Sequence, residues 1–287
     1  TTAELKEKYR LFKMMNSPSL VSFGTTMTKF ALKIGLPVKG LIKHTIYEQF
    51  VGGETIEECQ KVIEKLGKSH IGTILDYSVE GKSEEEDFEF TKDEIVKTIK
   101  RANEDENIPF AVFKVSGIAP YGTLEKVSAG VELPDKSKLK WERIQARVGE
   151  ICEYANSLNQ PTFIDAEETW IQNAIDFMAE RMMEKYNAEK PLIYTTIQLY
   201  RADGLEFLKK SHAKAKEKGY IYAVKLVRGA YMEKERDHAA EMRYPSPIQP
   251  DKAATDRDFD AAVEYCLDNI ETLAFVAGTH NEKSVQL

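Results

Sequence analysis

The 287-residue sequence predicts an α/β protein, a TIM-like (βα)8 barrel preceded by a helical N-terminal region, with about six of the eight units inside the chain. Three observations predict it. From Ile71 onward, short β-type runs alternate with helical stretches, the pattern of βαβ units around a parallel sheet. No Gly-x-Gly-x-x-Gly fingerprint follows any of those runs, so an open dinucleotide-binding sheet is disfavoured. Almost every run ends in a charged or hydrogen-bonding residue, which a barrel would gather at one mouth.

Residues 1–70 read as the helical region and residues 71–287 as the partial barrel, expected to be the catalytic domain. Thr55 and Glu58 form a capping box, and Ile56, Cys59, Val62, Ile63 and Leu66 follow at helical spacing until Gly67 stops the turn. Upstream, Leu36-Pro37 separates two helical stretches. Lys39, Lys43 and His44 decorate the second, and a solvated basic face is the expected reading.

The strands are expected at Gly72–Ser78, Ala111–Ser116, Thr162–Ala166, Ile193–Leu199, Ala223–Val227 and Leu273–Ala277. Helices are expected at Thr91–Ala102, Lys140–Leu158, Thr169–Tyr186, Gly204–Lys218 and Asp256–Asn269, with the acidic run from Glu84 to Asp87 as a solvated loop. The polar strand ends are Asp76 with Glu80, Lys114 with Ser116, Asp165 with Glu167, Gln198, Lys225 with Arg228, and Thr279 with His280. Unpaired charge buried in a barrel is costly, so their convergence predicts a ligand site. The run from Val224 to Tyr231 is the most pointed. Two cations interrupt a buried-type strand, and Gly229 would let a backbone approach an anionic ligand. The count stops at the sixth strand, and the expectation is a barrel whose C-terminal portion is not in this sequence.

Composition narrows the functional classes. A hydrophobic fraction of 42% with 30% charged residues is ordinary for a globular domain. A net charge of -7 argues against nucleic acid as a partner. Cys59, Cys152 and Cys266 are far apart, and the five histidines form no metal-ligand spacing. Neither a zinc site nor a disulfide framework is expected. No apolar run reaches the length of a membrane span, and the longest candidate, Phe30 to Ile42, is interrupted by Lys33 and Lys39.

Phe163-Ile-Asp-Ala-Glu-Glu168, Lys225-Leu-Val-Arg-Gly-Ala-Tyr231 and Thr279-His-Asn281 resemble, in order and spacing, the motifs of the proline dehydrogenase family. Lys114 in Phe113-Lys-Val-Ser116, Gln198 in Ile197-Gln-Leu199 and the segment Lys252-Ala-Ala-Thr-Asp256 fit the same pattern. Gly53 to Glu80, with Leu75-Asp-Tyr77, looks like the monofunctional, mitochondrial-type branch.

The resemblance implies a distorted (βα)8 flavoenzyme. Such an enzyme oxidises L-proline to Δ1-pyrroline-5-carboxylate and passes electrons through FAD to a quinone. Peripheral membrane association would place it at the cytoplasmic face of a bacterial inner membrane, or in the mitochondrial matrix or inner membrane. Carried over by position, Lys114 would meet the substrate carboxylate and Asp165 would lie beside the reacting ring. Leu226 and Tyr231 would wall the pyrrolidine. Gln198 would hydrogen-bond the isoalloxazine and Lys225 would lie near its N5 edge. Arg228, Gly229 and Ala230 would approach the pyrophosphate and ribityl chain. Lys252, Thr255, Thr279, His280 and Asn281 would hold the adenosine end.

Two departures are visible. Position 225 is Lys where bifunctional relatives carry Arg, and only Arg makes a planar bidentate contact. The family's last strand (a Tyr-Val-Pro-Tyr-Gly pattern) and its final helix with paired arginines are not in these residues, which are therefore expected to be inactive by themselves. Two other classes compete: a Schiff-base barrel aldolase or lyase using Lys114 or Lys225 as nucleophile, and a non-catalytic scaffold.

Overall fold

A computed structural model describes residues 2–34, 47, 51–77 and 84–287. The basic stretch carrying Lys39, Lys43 and His44, and Glu80 of the expected carboxylate pair, lie outside the described residues. The chain divides into two compact units, Thr1–Lys65 and Leu66–Leu287.

In the first unit α1 (Thr2–Met15) and α2 (Pro18–Lys33) pack on each other. Helix α3 (Ile56–Gly67) follows, and its start departs slightly from the expected reciprocal cap. The Thr55 hydroxyl accepts from the Glu58 backbone N–H at 3.2 Å, but the Glu58 carboxylate accepts from Glu54 N–H at 3.0 Å rather than from Thr55. One first-turn donor, the Glu58 N–H, and the Glu54 N–H just before the helix are thereby satisfied.

In the second unit six strands form one sheet in sequence order, and every neighbouring pair is parallel. They are β1 (Ile74–Asp76), β2 (Phe110–Phe113), β3 (Thr162–Ile164), β4 (Ile193–Gln198), β5 (Tyr222–Val227) and β6 (Leu273–Gly278). The crossovers run through α4 (Glu85–Asn103), then α5 (Tyr121–Ser128) with α6 (Asp135–Leu158), then α7 (Thr169–Tyr186) and α8 (Gly204–Lys218). Helices α9 (Met232–Met242) and α10 (Lys252–Asp268) lie between β5 and β6, and α11 (Glu282–Val285) follows β6.

The sheet is curled rather than flat. Adjacent strands are about 4.8 Å apart, so the edges of a flat six-stranded sheet would be roughly 24 Å apart. Yet Asp76 at the end of β1 and Thr279 after β6 line one cavity. The concave face carries an aromatic layer: Phe110 stacks on Phe163 at 4.5 Å, and Tyr194 meets Phe163 edge-on at 5.4 Å. The convex face is sealed by helices whose Ile144, Ile151, Ile175, Leu208 and Phe259 are fully buried, the closure of an α/β barrel wall.

Element boundaries moved where a side chain captured the backbone. The expected strand Ala111–Ser116 ends at Phe113, and Val115–Ile118 forms a 3-10 turn instead. The Ser116 N–H is taken by the Glu167 carboxylate at 2.9 Å, which removes it from any ladder. The acidic run is not a loop: Glu85, Glu86 and Asp87 form the first turn of α4, where negative charge suits the helix dipole. Glu85 and Glu89 there pair with the buried Arg147 of α6. Helix α10 starts at Lys252 rather than Asp256 because Asp251 caps it, accepting from Ala254 N–H at 2.8 Å.

Candidate active site

Alternation along the strands decides which side chains reach the concave face. On β5, Lys225 and Val227 line the cavity, while Leu226 between them is fully buried on the opposite side. Lys225 and Val227 are in register with Thr196 and Gln198 of β4, which also line it. Gly278 of β6 stands opposite Val227 and continues the wall. The resulting space is about 640 Å³, within the usual range for a cofactor or substrate cleft.

Asp165, one residue past β3, is the centre of its floor. Lys225 Nζ donates to Asp165 Oδ1, and the Thr196 hydroxyl donates to the same oxygen at 3.2 Å. The ammonium also sits 5.0 Å from the centre of the Phe163 ring, so its charge has an aromatic face as well as a carboxylate.

One buried acid organises the neighbouring strand ends. The Glu167 carboxylate accepts from both the N–H and the hydroxyl of Ser116, fixing the turn that follows Lys114. Its backbone carbonyl accepts from Gln198 Nε2 at 2.8 Å. Gln198 Oε1 in turn faces the Ala230 N–H at 3.4 Å. Burial pushes the Glu167 carboxyl up to about 7, against the opposing pull of the Ser116 hydrogen bonds.

The loop after β5 is shaped by Tyr200. Gly229 has φ +134°, and a Cβ there would come within 2.4 Å of the Tyr200 ring. Only glycine fits both constraints. Helix α9 is then anchored at its first turn: Glu235, fully buried, accepts from the N–H and hydroxyl of Thr169 at 2.7 and 2.6 Å, and Lys234 pairs with Glu168. Tyr231, immediately before that helix, lines the cavity. Trp170 does not face the cavity and stacks on His238 at 3.9 Å.

At the other end of the cavity Arg228 is gripped on three sides. Nε donates to Asp256 at 2.5 Å, Nη1 to the Thr279 hydroxyl at 2.6 Å and Nη2 to the Ser284 hydroxyl at 3.0 Å. Asp256 also accepts from Lys252 at 2.5 Å, and these partners hold its carboxyl below the usual carboxylate range. The Asn281 side chain caps α11, accepting from Lys283 and Ser284 N–H groups.

Twelve of the expected site residues therefore meet around one cavity: Lys114, Asp165, Gln198, Lys225, Arg228, Gly229, Ala230, Tyr231, Lys252, Thr279, His280 and Asn281. Leu226 and Thr255 do not. Strand parity turns Leu226 outward into the core, away from any pyrrolidine wall. Thr255 is buried in the first turn of α10, its hydroxyl donating to the Asp251 carbonyl at 3.3 Å. Thr196 and Asp256 were not anticipated as site residues. Period-two spacing from Gln198 was the signal for Thr196. Asp256 closes the Lys252-Ala-Ala-Thr-Asp256 motif, but nothing local shows that it reaches Arg228.

Four cations, Lys114, Lys225, Arg228 and Lys252, line the cavity with two carboxylates, Asp76 and Asp165. That excess of positive charge, beside a glycine backbone, suits an anionic, phosphate-bearing ligand. No group of histidines, cysteines and acids among the described residues could hold a metal ion.

The fold and the cavity together define a βα-barrel protein with a cationic mouth at the C-terminal strand ends. The sequence profile of the proline dehydrogenase family matches residues 59–287, and the chain belongs to that family. It is 33% identical over 83% of its length to the carbapenem antibiotics biosynthesis protein CarD of Pectobacterium carotovorum, covering 62% of that protein. It is 28% identical over its whole length to mitochondrial proline dehydrogenase 1 of Dictyostelium discoideum, covering 58%. A hydroxyproline dehydrogenase of Xenopus laevis is 25% identical over 96% of the chain, which covers 67% of it. The chain thus spans about three-fifths of the length of the first two relatives. Among solved structures, proline utilization A from Bdellovibrio bacteriovorus superposes with a TM-score of 0.74 at 18% identity, over 86% of this chain and 27% of that one. A Bradyrhizobium japonicum proline utilization A gives 0.66 at 20% identity, over 81% and 24%. Both share the fold. No helix among the described residues is long and apolar enough to cross a membrane.

Proposed function

We propose that the protein oxidises L-proline to Δ1-pyrroline-5-carboxylate with FAD as its cofactor. The observation that carries this reading is the single cavity at which the strand-end motifs of a proline dehydrogenase family member converge, with the Lys225–Asp165 pair on its floor.

When bound, FAD would accept a hydride from the substrate at N5 and pass electrons on to a quinone. Lys225, Gln198 and Ala230 would hold the flavin ring, and Arg228, Gly229 and Lys252 its diphosphate. Thr279, His280 and Asn281 would hold the adenosine half. Lys114 would attract the proline carboxylate, since a zwitterionic amino acid needs a cation there. Thr196 and Lys225 hold Asp165 in place, where it would lie beside the reacting ring and its negative charge would attract the substrate's ammonium. Tyr231 would close the apolar side of the ring. The mitochondrial proline dehydrogenases among the relatives are consistent with a mitochondrial location, and electron transfer to a quinone would bring the protein to a membrane surface. Membership of the family speaks against the Schiff-base alternative, and turnover of L-proline separates an enzyme from a non-catalytic scaffold.

The test is direct. The purified full-length protein should be yellow, absorbing near ~450 nm as bound flavins do, and L-proline should bleach that band anaerobically. A colourless preparation that binds no added FAD would refute the cofactor. Bleaching by trans-4-hydroxy-L-proline and not by L-proline would move the substrate to the hydroxylated ring.

A further inference from the structure

Behind the cavity, a carboxylate that does not line it grips two cations that do. Asp256 accepts from Arg228 Nε through one oxygen and from Lys252 Nζ through the other, each at 2.5 Å. The remaining grip on Arg228 comes from Thr279, from Ser284 and from the ring of Phe259, 4.3 Å beneath the guanidinium. Ser284 is itself tied to Asp260 at 2.5 Å. Three of the five guanidinium N–H groups are committed to these partners, leaving two for a ligand.

We propose that Asp256 is a positioning residue for the diphosphate of the flavin dinucleotide, an internal anion that holds Arg228 and Lys252 as a paired-cation cradle. The inference rests on the flavin reading given above and extends it to a residue outside the ligand's reach. Without Asp256, two long cationic side chains would repel each other and sample many rotamers. Removing it would also add one positive charge to the site, which by itself would attract a phosphate. The two effects oppose each other, and the first is the larger. Side-chain exposures of 20% for Arg228 and 27% for Asp256 leave the added attraction open to solvent screening. Bidentate recognition by a planar guanidinium, in contrast, is lost once the fork turns.

The experiment titrates FAD and riboflavin into the full-length apoprotein by flavin fluorescence, for the wild type and for Asp256→Asn and Asp256→Glu. Riboflavin carries the ring but no phosphate. Asp256→Asn is expected to weaken FAD at least tenfold while leaving riboflavin affinity and the apoprotein melting temperature unchanged, and Asp256→Glu to recover part of the loss. Unchanged or tighter FAD binding in Asp256→Asn overturns the proposal. So does a parallel loss of FAD and riboflavin affinity with a lower melting temperature, which would mark a folding role. If Asp256→Asn does not fold, Asp256→Glu decides: its longer carboxylate displaces the cradle, so FAD must weaken relative to riboflavin. A full-length wild-type protein that binds neither ligand refutes the flavin reading itself, and this inference with it.

Discussion

Asp165 and Lys225 form an ion pair that spans β4: Asp165 follows β3, Lys225 is in β5, and Thr196 between them donates to the same Asp165 oxygen. Their side chains are about one-fifth exposed. A pair this enclosed constrains three strand ends at once, and removing one partner strands the other charge.

In the full-length enzyme Asp165→Ala should therefore reduce proline turnover by about 10²-fold or more, the range typical for a positioned charged group. Flavin content, read as the ratio of visible to ultraviolet absorbance, should fall much less. Equal losses of turnover and flavin would assign Asp165 to folding instead.

In the full-length enzyme, Lys114→Met removes the cation expected to meet the carboxylate while keeping most of the length of the side chain. A charge-assisted hydrogen bond is worth about 1.5–3 kcal/mol, so KM for L-proline should rise roughly 10- to 100-fold with flavin retained. Steady-state kinetics with unaltered KM would remove Lys114 from the substrate pocket.

Gly229→Ala should destabilise the loop after β5 on two counts, a φ of +134° and a Cβ that would come within 2.4 Å of the Tyr200 ring. Strain of this kind costs on the order of 1–3 kcal/mol. Thermal denaturation should report a drop of several degrees, and the loss should shrink in a Tyr200→Leu background that removes the clash. An equal drop in both backgrounds would leave the backbone dihedral as the sole cause.

The buried Glu167 carboxyl sets a pH dependence. Its value rises from 4.5 to about 7 on folding, so the folded state binds the proton more tightly than the unfolded chain. Its contribution to stability is complete below pH 4.5 and is lost as pH rises through 7. The upper limit of that loss is about 3 kcal/mol. Glu167→Gln should flatten the stability profile between pH 4.5 and 7, measured by urea denaturation at fixed ionic strength. A profile of undiminished slope would show that other groups govern it.

Much of this barrel is legible without coordinates because its signals are local. Apolar runs ending in Asp165, Gln198 and Lys225 identify strands and their rims, and period-two alternation alone could have excluded Leu226 from the cavity. Acidic residues read as a loop at Glu85–Asp87 became a helix start because Arg147, 60 positions away from Asp87, draws Glu85 and Glu89 onto α6. Ser116 left its expected strand for a similar reason, its N–H captured by Glu167.

The order of residues by itself determined the strand–helix alternation, the family motifs and the chemistry gathered at the strand ends, since propensity, periodicity and residue type are properties of short segments. Only the tertiary structure decided which of those groups meet. Curling brings Asp76 and Thr279 to one cavity, and the return of α10 and α11 delivers Asp256 and Ser284 to Arg228. The Arg228 contacts join residues 28 and 56 positions apart, and their geometry follows from how helices pack on a closing sheet rather than from any local pattern.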